Sequence, residues 1–61
     1  MDKLEYSYEI TEGTRTLRGT TLQQGEGYAV RFVRGRAQTW AKRAAKWRVW
    51  CGKWERKGVV A

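Results

Sequence analysis

Arginine and lysine are the residues here whose type and spacing point to chemistry. Ten of the thirteen basic side chains fall in residues 31–61, against a single acid, Glu55. Residues 1–30 hold Lys3, Arg15 and Arg18 against five acids, so the two halves carry −2 and +9, together +7. A positive surface of this density attracts phosphate backbones, anionic membranes or an acidic protein. Arginine adds a planar fork that matches phosphate and the guanine edge. Arg18, Arg31, Arg34 and Arg36 are therefore the candidate nucleic-acid contacts, and Lys42, Lys46 and Lys53 supply further phosphate attraction.

Catalytic chemistry fails on inventory. With no histidine, proton transfer near neutral pH needs a carboxylate or lysine tuned by burial. The acids cluster on what reads as the wet side of the first strand, where tuning is weak. Cys51 is the only thiol; it reads as a small apolar core residue, and it excludes an internal disulfide. Neither metal nor cofactor is expected, because no second thiol or imidazole completes a ligand set. Gly25-Glu26-Gly27 reads as a hairpin turn rather than a phosphate cradle. The chain reads as a non-enzymatic binding module without a small-molecule substrate.

The aromatics offer a rival role. Four tryptophans, three tyrosines and one phenylalanine are a heavy load for 61 residues, and each buries roughly 150–250 Å². A chain this short buries only about 60 % of its unfolded surface, so such rings are needed for a core. Trp40 and Trp47 read as core. Trp50 and Trp54, with Tyr6 and Tyr8 on an edge strand free of proline, form the alternative protein interface, since exposed tryptophan beside arginine marks binding hot spots. That alternative is a homodimer, or a small phage- or mobile-element-type inhibitor or adaptor docked on a larger acidic protein.

These side chains need a scaffold. Residues 3–10 alternate strictly, with Leu4, Tyr6, Tyr8 and Ile10 on one side, the period of a half-buried strand. A turn at Thr11-Glu12-Gly13 leads to a second strand over 14–24. Leu17 and Leu22 differ in parity there, and a bulge at Gly19 reconciles them. Residues 28–34 alternate again, with Tyr28, Val30 and Phe32 inward. After Gly35 the stripe Ala37, Trp40, Ala44, Trp47 and Cys51 predicts a helix over about 37–51. Thr39 is its candidate cap, and Gly52 either breaks it or lets it run on to 56. No internal repeat or linker is seen, so residues 1–61 read as one small domain.

The expected fold is thus α+β: a three-stranded antiparallel β-meander covered on one face by a single C-terminal α-helix. That topology resembles the three-strands-plus-helix DNA readers, integrase arm-binding domains among them, and the resemblance implies DNA contact through the outer sheet face. Residues 40–46 look faintly like the last helix of double-stranded RNA-binding domains, whose first helix is missing here. Nucleic acid, DNA rather than RNA, ranks first as partner, and a protein second. Membrane binding ranks last, because the apolar helix side is needed to cover the sheet. No apolar run approaches the roughly 20 residues of a membrane span, and a lone thiol suits the reducing cytoplasm.

Overall fold

The strict alternation of the first strand carries past Ile10. In the computed structural model, which describes residues 2–61, β1 runs over Leu4–Glu12 and pairs antiparallel with β2, Arg15–Gln23. Then come α1, Glu26–Trp40, and a second hairpin of β3, Ala45–Cys51, and β4, Trp54–Val60. The sheet order is β2-β1-β3-β4, antiparallel throughout, so β1 and β3 are central and β2 and β4 are edges. The expected three-stranded meander with a C-terminal helix is overturned. Residues 28–34 belong to the helix and not to a third strand, and 45–51 form a strand and not a helix.

Each hairpin closes through a two-residue turn, Gly13-Thr14 and Gly52-Lys53. Both glycines have φ of +58°, and among the described residues no other residue type has positive φ. Positive φ at the first turn position only is the type II′ pattern, which matches the twist of antiparallel strands. Gly52 thus interrupts its segment, as the chain pattern suggests, but as a hairpin turn and not a helix kink.

The two hairpins share a further device. Tyr8 stands opposite Gly19, and Trp47 opposite Gly58. In each case the ring covers the glycine of the edge strand: a Cβ on Gly19 would lie 2.7 Å from the Tyr8 hydroxyl, and one on Gly58 would collide with the Trp47 indole. Covering an edge glycine with a cross-strand aromatic restores the packing that glycine lacks. In both hairpins the aromatic lies five residues before the turn glycine and the covered glycine six after it. The chain therefore contains an internal correspondence that composition does not reveal. No bulge forms at Gly19; the register runs unbroken from Leu4↔Gln23 to Glu12↔Arg15, and Leu22 emerges on the opposite face from Leu17.

α1 crosses one face of the sheet. Its buried stripe is Ala29, Val33 and Ala37, spaced by four; small side chains let the helix sit close, and the bulk comes from Tyr6, Tyr8, Ile10, Trp47 and Val49 below. The expected tryptophan-bearing helix is thereby overturned: Trp47 lies in the sheet, and the helix contributes small side chains to the core. Fully buried Ile10, Val33 and Val49 each contribute roughly 1.5–3 kcal/mol by leaving water. The helix starts from an extended Gly25 with no side-chain cap. It ends where Glu12 intervenes: Glu12 Oε2 accepts the N–H groups of Lys42 (2.5 Å) and Arg43 (2.8 Å), groups that would otherwise continue the i→i−4 ladder. Thr39 is not a cap; it lies in the last turn and donates its hydroxyl to the Gly35 carbonyl at 2.8 Å. Among the described residues no helix is long and apolar enough to cross a membrane.

Candidate nucleic-acid interface

The molecule presents two surfaces, and its cations behave differently on each. The sheet face away from α1 carries Arg18, Lys46, Arg48 and Lys57 with Glu5, Glu9 and Glu55, by the alternation of the paired strands. Its two arginines are engaged. Arg18 Nε donates to Glu9 at 2.6 Å. Arg48 pairs with Glu55, and its guanidinium lies 4.2 Å from the Trp50 ring centroid. Four cations against three acids leave this face nearly neutral.

The solvent side of α1 is the opposite case. From Gly27 to Arg43 the chain holds five cations and no acid. Arg31, Arg34 and Gln38 follow one another at helical spacing and border a shallow groove floored by Gly35. All four are exposed, and no atom lies within 4 Å of where a Gly35 Cβ would stand. Arg36 lies on the flank facing β2, one turn after Phe32, whose ring meets Tyr8 edge-on at 5.9 Å. Lys42 and Arg43 continue the positive stripe beyond the helix. Among the described residues the ion pairs are Glu12–Arg15, Glu9–Arg18 and Glu55–Arg48; Arg31, Arg34 and Arg36 take part in none.

The residues singled out from sequence are therefore divided. Arg31, Arg34, Arg36 and Lys42 share the helix and its exit. Arg18 and Lys46 stand on the other side of the sheet, and Lys53 sits in the β3–β4 turn. Arg31 is not a strand neighbour of Arg18, and the outer-sheet DNA surface implied by the three-strand topology goes with that topology. The alternative set is also dispersed. Tyr6 and Tyr8 are buried, on a strand that is central and not an edge. Trp54 packs edge-on against Tyr6, with ring centroids 5.7 Å apart, and Trp50 faces the opposite side beneath Arg48. Burial, with Cys51 and Glu26 nearby, raises the Tyr6 phenol above its ordinary range.

Glu12 and Gln38 went unnoticed in the sequence. Glu12 is the one buried charged side chain among the described residues, and it fixes the loop that launches Lys42 and Arg43. The Arg43 N–H lowers its pKa most; burial opposes this, while the Lys42 N–H and the Arg15 and Arg43 charges add to the lowering. Arg15 donates to its other oxygen at 2.9 Å and lies 4.5 Å from the Trp40 ring centroid. The signal for Glu12 was its place in the alternation of β1, two residues past Ile10. Among the described residues no three His, Cys, Asp or Glu side chains converge as a metal site. Comparison of the chain with family models, curated proteins and solved structures found no match.

Proposed function

We propose that this chain is a non-enzymatic DNA-binding module that lays the solvent side of α1 into the major groove. The observation that carries the proposal is the acid-free stretch from Gly27 to Arg43, whose helix arginines are exposed and outside every ion pair among the described residues. Arg31, Arg34 and Gln38 face the base edges and nearer phosphates, since arginine suits guanine and glutamine suits adenine. Arg36, Lys42 and Arg43 reach phosphates on the groove walls. Gly35 lets the helix backbone approach closely. The major groove of B-form DNA admits a helix, whereas that of A-form RNA is too narrow to be read, which favours DNA. Lys46 and Lys53 add to the field that steers approach. A reducing, cytoplasmic setting suits the unpaired Cys51.

Fluorescence anisotropy with a labelled duplex tests this. Five neutralised phosphates give a log–log salt slope of about −4 to −5, and R31A/R34A reduces its magnitude by about 2. Arg48→Ala, on the other face, leaves the slope within error. Absence of binding at low salt, or equal loss in R31A/R34A and R48A, overturns the reading.

A further inference from the structure

The two edges of the sheet are guarded unequally. β4 carries Arg56 and Lys57 in mid-strand, with Lys53 just before it, and charges of this kind discourage pairing with another strand. β2 has no charge from Gly19 to Gln23, no proline and no bulge. Beside it, the flank of α1 presents Tyr28 and Phe32, with Arg36 one turn further on. Tyr8 leans over Gly19 at the edge, Phe32 packs on Tyr8, and Tyr28 lies one turn earlier. Tyr28 and Phe32 stay 55 % and 40 % exposed, and Leu22, on the other face of β2, is 59 % exposed. Three of the five large exposed apolar residues among those described thus border the uncharged half of one edge strand, Gly19–Gln23, with Arg15 and Arg18 confined to its other half.

We infer that β2 pairs antiparallel with β2 of a second copy, joining two sheets into one of eight strands. The charge pattern selects this occupant. A two-fold centred anywhere from Gly19 to Leu22 sets Arg18 and Arg15 opposite uncharged β2 residues or the end of the strand, so two chains of net charge +7 meet along their least charged edge. The same two-fold places both helices on one side of the joined sheet, where Tyr28 and Phe32 of each copy face each other above the new strand pair. At about half exposure these rings offer roughly 200 Å² per copy, about a quarter of the roughly 800 Å² per partner in a standard interface, and the paired strand backbones and Leu22 add to it. The inference does not rest on the role given to the helix arginines.

Sedimentation equilibrium on the full chain tests it. Over about a hundredfold in concentration, the mass is expected to rise to twice the 7.1 kDa of one chain. L22K/Y28K, and separately Thr20→Lys, should stay at the single-chain mass with unchanged circular dichroism. Val59→Lys, at an exposed β4 position, should dimerise like the wild type. In the wild type, amide exchange at Gly19–Gln23 should slow with concentration, and that at Glu55–Val59 should not. A single-chain mass throughout overturns the inference, as it would if β2 served only another protein. So does a dimer that survives both β2 substitutions or is lost in V59K.

Discussion

Gly58→Ala adds one methyl group and is expected to destabilise the protein. Gly58 does not need positive φ, so alanine fits its backbone, and the reduced freedom of the unfolded chain favours folding by about 0.4–1 kcal/mol. Against this, the new Cβ collides with the Trp47 indole. Trp47 is buried in the core, and the ring cannot yield without moving its neighbours. Forcing an extra methyl into packed surroundings costs about 1–3 kcal/mol, so at the centre of the two ranges the net loss is about 1.3 kcal/mol. For a domain this small that is a fall in Tm of roughly 5–10 °C, measured by circular dichroism in thermal unfolding. Gly19→Ala should behave alike, and less severely in a Tyr8→Phe background, which removes the nearest of the atoms it meets. Gly35→Ala provides the control of opposite sign: nothing stands near its Cβ, and alanine in a helix interior gains up to about 1 kcal/mol. If Gly58→Ala melts at or above the wild-type temperature, the ring-over-glycine account of the edge strands is refuted.

Glu12 makes stability depend on pH. Its folded pKa lies below the ordinary 4.5, so its stabilisation is fully present above about that pH and is lost as pH falls through the lowered folded value; Glu12→Gln should flatten the fall of Tm as the solution is acidified below that ordinary value. Gly52→Ala should cost about 1–2 kcal/mol in denaturant unfolding, because alanine resists the left-handed region, and Gly52→Asn should recover part of it. Arg18→Ala should change stability by less than about 1 kcal/mol, since its pair with Glu9 is exposed.

What the sequence revealed, and what it hid, follows from how each segment carries its period. β1 was legible because its large apolar residues alternate without competition. Residues 28–34 satisfy two periods at once: Tyr28, Val30 and Phe32 alternate, while Ala29, Val33 and Ala37 recur by four. The larger set suggests a strand, but size misleads here, because the small residues are the buried ones and Tyr28 and Phe32 stay largely outside. The same ambiguity hid β3. Trp40, Ala44, Trp47 and Cys51 fit a helix, yet Ala45, Trp47, Val49 and Cys51 alternate and end at a glycine. The deciding pattern was the shared spacing of Tyr8, Gly13 and Gly19 with Trp47, Gly52 and Gly58, which marks both segments as hairpins. Of the candidate site, the helix arginines were identifiable by type, but their common surface required the correct placement of α1. That Glu5 and Glu9 share the outer face with Arg18 was legible from the alternation, and the register of β1 with β2 shows that Glu9 is the acid that meets Arg18.

The central claim is that the exposed side of α1 meets DNA while the open sheet face does not. Amide chemical-shift mapping by NMR, with a short duplex added at low salt, distinguishes the two surfaces residue by residue. The account predicts that shifts cluster at Arg31, Arg34, Gly35, Gln38, Lys42 and Arg43. Shifts confined to Arg18, Lys46, Arg48, Trp50 and Lys57, or none at saturating duplex, contradict it.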